Sequence, residues 1–115
     1  MADLHIDQKV LSDLKEVMED GYLQLVDTFL EDSERRLSQL HEAKSAEELG
    51  LAAHSFKGSS SNMGAVVLAR LCEQLEARAR QQPLYGIEDL VSRIDQEYLE
   101  VQHFYRGERE GVSTD

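Results

Sequence analysis

The chain has 115 residues, with 23 acidic against 12 basic side chains, a formal net charge of −11 and 41% hydrophobic residues. That length supports one core and not two, and the apolar content argues against disorder of the whole chain. So acidic a surface repels the phosphates of nucleic acid and of anionic membranes, and neither is an expected partner.

There is one proline and no tryptophan. Helix-forming Leu, Ala, Glu, Gln and Arg are plentiful, and strand-like alternation is absent, so the expected fold class is all-α. Cys72 is the single cysteine, which rules out a disulfide within the chain and suits a reducing cytoplasm. The start, Met1-Ala2-Asp3-Leu4-His5, lacks the basic and apolar regions of a secretion signal, and no apolar run is long enough to span a membrane.

The spacing predicts five helices. The first covers about Asp7 to Glu19, with Asp7 as N-cap and Val10, Leu11, Leu14, Val17 and Met18 as its apolar stripe. Asp20-Gly21 then marks a turn. The second covers about Tyr22 to Ala43. Ser45-Ala46-Glu47-Glu48 has capping-box spacing and opens the third, which runs to about Ser60 or Ser61. The fourth covers about Ala65 to Gln81, with Asn62 a candidate cap and Pro83 as the stop. The fifth covers about Ile87 to Tyr105. Long amphipathic helices with short connections predict an antiparallel four-helix bundle with an additional short N-terminal helix. The bundle domain is assigned to 1–106. Segment 107–115, polar and without periodicity, is read as a disordered tail.

The third helix carries the chemistry. At about 100° per residue, Leu49, Ala52, Ala53 and Phe56 share a narrow arc toward the core. His54 falls nearly opposite, among Gly50, Lys57, Gly58 and Ser61. Imidazole is a nucleophile near neutral pH. A phosphoryl group on it carries about −1.5 to −2 charge, which Lys57 is placed to offset. Gly50 and Gly58 each cost the helix about 0.8–1 kcal/mol relative to Ala, and their bare positions leave room for a partner's close approach. Spacing alone is equally met by an ordinary solvated histidine beside a lysine.

The segment from His54 to Ala65 reads His, two residues, Lys57-Gly58, five residues, Gly64. It resembles the signature of histidine-phosphotransfer (HPt) domains, and the resemblance extends from about Val10 to Tyr105, as in a stand-alone bacterial HPt protein. It implies a phosphoryl carrier of a two-component phosphorelay and not an enzyme with its own ATP site. His54 would accept the group from an aspartyl phosphate on a receiver domain and pass it to an aspartate on a second receiver. The expected partners are thus receiver domains of a hybrid sensor histidine kinase and of a response regulator. No cofactor is expected on this chain, since the receiver supplies the Mg²⁺. Lys57 would stabilise the phosphoryl group. The resemblance also points to Glu76, 22 positions after His54, as acceptor for the inner imidazole nitrogen, against the alternative of an i,i+4 ion pair with Arg80. Gly50, Leu51, Gly58 and Ser61 are candidates for partner docking, as are Val10 and Leu14, which core packing explains equally well.

His5, His41, His103 and Cys72 show no ligand spacing, so no metal site is expected. A monomer suffices for the carrier role. Two competing functions are a helical adaptor that accepts no phosphate and a ligand- or metal-binding bundle. The first needs no His and Lys sharing a face. The second needs inward His or Glu on facing helices, which the stripes do not show.

Overall fold

A computed structural model describes residues 5–81 and 86–114. Among them there is no strand, and the helices are α1 (Gln8–Met18), α2 (Tyr22–Glu42), α3 (Ala46–Asn62), α4 (Val66–Ala79) and α5 (Ile87–Thr114). A 3₁₀ turn, Glu19–Gly21, joins the first two where a break is expected. Helices α2 to α5 pack in a closed ring, each against the next and α5 back against α2, with α1 laid on α2. This is the expected all-α antiparallel four-helix bundle with an extra N-terminal helix. No described helix is long and apolar enough to cross a membrane.

Local chemistry explains the helix starts. The Asp7 carboxylate accepts from the backbone N–H groups of Lys9 and Val10 at 2.9 and 3.3 Å, so it caps α1 as expected. The Ser45 hydroxyl accepts from Glu48 N–H at 3.1 Å, and the Glu48 carboxylate reaches back to Lys44 N–H, one residue beyond the usual box partner. Helix α4 starts differently from expectation. Its N-cap is Ala65, and Asn62 is the last residue of α3. The α3–α4 turn is made instead by Gly64, at φ +77°. Its carbonyl accepts from Asp7 N–H at 2.7 Å, and a Cβ there would stand 3.1 Å from Val10 Cβ. Glycine is thus required where α1 crosses this turn. Pro83 lies outside the described residues.

The core is one cluster. It includes Val26 and Phe29 of α2, Ala53 and Phe56 of α3, Leu68, Cys72 and Leu75 of α4, and Ile94, Val101 and Tyr105 of α5. Burial pushes the Cys72 thiol up to about 12, so it behaves as a core residue and not a reactive one. Tyr105 donates to the Met63 carbonyl at 2.5 Å and stacks edge-on against Phe29 at 5.7 Å, tying α5 to the end of α3. Of the predicted α1 stripe, Leu11 is buried and Leu14 half-buried, whereas Val17 and Met18 are exposed. The stripe continues beyond the part of α1 that the bundle covers.

The C-terminal segment departs most from expectation. Helix α5 does not end near Tyr105, and the chain does not become a disordered tail at 107; it stays helical to Thr114. The reason is ionic. Glu108 pairs with Lys15 at 2.6 Å and accepts from the Tyr22 hydroxyl at 3.2 Å, and Arg109 pairs with Asp27 at 3.2 Å. These contacts hold the last turns beside α1 and α2, and apolar periodicity does not register them. Truncation after Arg106 is therefore expected to lower stability by about 1–2 kcal/mol, read as a lower urea midpoint. An unchanged midpoint would show that this segment does not dock.

Candidate functional site

Helix α3 divides its faces as its spacing requires. Leu49, Ala52, Ala53 and Phe56 are buried, while the His54 side chain is 63% exposed. Facing it across the α3–α4 seam is Glu76, whose side chain is 8% exposed. Its carboxylate gathers three cationic or protonatable groups. Oε2 lies 2.9 Å from His54 Nδ1 and accepts from Arg80 Nη2 at 2.9 Å, and Oε1 lies 3.1 Å from Lys57 Nζ. The two readings of Glu76, imidazole acceptor and partner of Arg80, both hold and meet on a single oxygen.

Burial alone pushes the Glu76 carboxyl up, but the hydrogen bonds from Lys57 and His54 and their charges outweigh it and hold the group below its ordinary value. The carboxylate is therefore ionised near neutral pH and can only accept. His54 Nδ1 must then carry the ring proton toward Glu76, which leaves Nε2 with its lone pair. No described side chain hydrogen-bonds Nε2. The geometry provides a fixed tautomer, an exposed nucleophilic nitrogen, and two cations in contact with the carboxylate that orients it.

The surroundings are open. A cleft of about 330 Å³ between α3 and α4 is lined by Gly50, Leu51, His54, Glu76, Ala79 and Arg80. A Cβ on Gly50 would make ordinary contact with Ala79 Cβ at 3.7 Å, and one on Gly58 would meet no atom within 4 Å. Neither glycine is demanded by packing. Leu51, a large apolar side chain, is 64% exposed beside this cleft. Ser61 is exposed and lines a neighbouring groove with Lys57 and Val10. Val10 itself packs on Gly64 and Leu14 against the core, so structural roles account for both. Arg80 is the site residue that sequence reasoning weighed only as an alternative to the imidazole contact. Its i,i+4 spacing from Glu76 was the available signal.

The lowered proton affinity of Glu76 is linked to stability. A carboxyl depressed by folding adds stability above its unfolded value, near 4.5, and that contribution fades as pH falls through the folded value. Urea denaturation of wild type and Glu76→Gln is expected to show a gap that is full at about pH 7 and narrows below about pH 4.5. A gap constant down to about pH 3 would contradict the assigned charge state.

No curated protein sequence matches the chain. Among solved structures, the crystal structure of histidine-containing phosphotransfer protein B (HptB) from Pseudomonas aeruginosa PAO1 is similar, at 46% identity and a TM-score of 0.91, covering 95% of this chain and 97% of that one. The Hpt domain family model matches residues 24–104, which takes in most of the bundle and the whole α3–α4 site. The chain belongs to the Hpt family, the histidine-phosphotransfer proteins of two-component phosphorelays.

Proposed function

We propose that His54 is the phosphoryl-carrying residue and that Nε2 is the atom that carries the group. The observation supporting this most directly is the 2.9 Å contact between His54 Nδ1 and the buried Glu76 carboxylate on an otherwise exposed imidazole. In the charging step Nε2 attacks the phosphorus of a receiver aspartyl phosphate. The Nε2–P bond forms, the P–O bond to the aspartate breaks, and its electron pair leaves on the aspartate carboxylate. The ring becomes cationic with its proton still on Nδ1, and Glu76 offsets that charge. Lys57, one turn along the same face, is placed to exchange its contact with Glu76 for one with the incoming phosphoryl oxygens. Discharge to a second receiver reverses these bonds.

Receiver domains are the partner class of the family. For this chain we assign the donor receiver to a hybrid sensor histidine kinase and the acceptor to a response regulator. Gly50, Leu51, Gly58 and Ser61 form the docking surface: two bare positions, one exposed apolar side chain and one hydroxyl around His54. The transfer chemistry draws on no ATP site in this chain, and the Mg²⁺ belongs to the receiver. One exposed His54 face per bundle makes a monomer sufficient, and the cytoplasm is the compartment in which its partners' catalytic domains reside.

Two experiments test the assignment. Incubation with a phosphorylated receiver and Mg²⁺ is expected to place acid-labile, alkali-stable phosphate on the wild type and none on His54→Gln. Full labelling of His54→Gln would falsify the assignment, and labelling of neither would favour the adaptor reading. For the glycine, Gly58→Ala is expected to gain about 0.8–1 kcal/mol in unfolding free energy, because the methyl group meets open space and Ala is the better helix former. The same change is expected to slow transfer at least ~10-fold, a loss of about 1.4 kcal/mol in the transition state. A more stable variant with an unaltered transfer rate would remove Gly58 from the docking surface.

A further inference from the structure

Arg80 is the C-cap residue of α4, its backbone N–H donating to the Ala77 carbonyl; its side chain is 76% exposed, yet the guanidinium turns back 2.9 Å to Glu76 Oε2. That is the same oxygen His54 Nδ1 uses, whereas Lys57 takes Oε1. A guanidinium does not lose its proton in the physiological range, so its pull on Oε2 is constant. An acceptor oxygen shared with a permanent cation binds a second proton donor less tightly than one left to itself.

The other charged groups nearby do not duplicate this contact. Glu47 lines the same cleft from the first turn of α3. Arg70 and Glu73 of α4 line the groove on the far side of Lys57. From α2, Arg36 and Glu42 face a separate groove with Glu48, Leu51 and Ser55. No described residue of α2 or α5 hydrogen-bonds or pairs with His54, Glu76 or Arg80.

We propose that Arg80 is a positioning residue for phosphotransfer: by sharing Glu76 Oε2 with His54 Nδ1, it sets how tightly the carboxylate retains the imidazole proton while the phosphoryl group sits on Nε2. This rests on the assignment of His54 as carrier. The proton matters most in discharge. The Nε2–P bond breaks, an oxygen–phosphorus bond forms on the acceptor aspartate, and the electron pair returns to Nε2. With Nδ1 protonated the leaving group is neutral imidazole. Without that proton it is an imidazolate, a far poorer leaving group, so discharge fails on the alkaline side of the proton's loss. Glu76 is the acceptor that retains the proton, and Arg80 competes for the same oxygen.

The test follows discharge of phosphate-loaded protein into a receiver with Mg²⁺ from about pH 6 to about 10, comparing wild type, Arg80→Gln, Arg80→Lys, Glu76→Gln and the Glu76→Gln/Arg80→Gln double variant. In Arg80→Gln the alkaline limb is expected to move up by about 0.5–1 pH unit, the size of losing one screened charge a few ångströms away. Arg80→Lys is expected to keep the wild-type limb. In the Glu76→Gln background, Arg80→Gln is expected to move the limb little. An unmoved limb in Arg80→Gln overturns the inference while leaving normal loading, and with it the carrier assignment, intact. An equal shift in the Glu76→Gln background overturns it too, by placing Arg80 directly on the phosphoryl group. So does an Arg80→Lys limb that matches Arg80→Gln. A wild type that accepts no label fails the carrier assignment and this inference with it.

Discussion

A buried carboxylate has to be compensated, and the site is built around that requirement. Glu76 lies in the α3–α4 seam almost out of contact with water, where an unpaired anion would be strongly destabilising. Its partners come from both sides of the seam, His54 and Lys57 from α3 and Arg80 from its own helix. His54 and Lys57 are three residues apart, so both reach one carboxylate only when that carboxylate faces a single turn of α3. The pairing thus fixes the register of α4 against α3. Small residues, Gly50 and Ala79, border the cleft beside it and leave His54 and Arg80 open access to the carboxylate.

The same group reconciles an acidic chain with phosphate chemistry. Eleven excess negative charges would disfavour a phosphoryl dianion anywhere on an evenly charged surface. At Glu76, the carboxylate nearest His54, the charge is met by two cations, Lys57 and Arg80. With the phosphoryl group on Nε2, as proposed, the carboxylate would hold the proton on Nδ1 while Lys57 and Arg80 limit the repulsion it would otherwise impose on that anion. A glutamine in its place would accept from Nδ1 without that repulsion, but it would lose the charge that favours an imidazolium. The glutamate, with its cations, combines orientation with electrostatic support for the charged ring.

Much of this was legible in the chain, and the illegible parts share a cause. The outward His54, the inward Phe56 and the cap at Ser45 follow from helical periodicity and local hydrogen bonding, which act over a few residues. Glu76 came from the family signature, because nothing local connects two positions on different helices. The ion pair with Arg80 was visible as a spacing, but its convergence with the imidazole on one oxygen depends on how α3 and α4 pack. The last turns of α5 were missed for the same reason. Their partners Lys15, Tyr22 and Asp27 lie more than 80 residues away in sequence, and charges carry no periodic signal of a neighbour. Val17 errs in the other direction: periodicity identifies a face, not how far along it another element extends.

The glycines of the motif separate what the fold needs from what it does not. Gly64 has a left-handed backbone and is crowded by Val10 and the Asp7 carbonyl, so folding alone accounts for it. Gly58 has neither property. It lies within α3, where glycine weakens the helix, and the space a side chain would occupy is empty. Folding gains nothing from it. In a family whose chemistry requires a second protein to bring an aspartate within bonding distance of the histidine, a Cβ one turn from His54 on the same face stands in that protein's path. On the proposed docking surface, the cost to helix stability is borne in the free protein and the benefit would arise in the complex. A residue that destabilises its own helix and touches nothing is therefore the part of the motif most specifically explained by a partner.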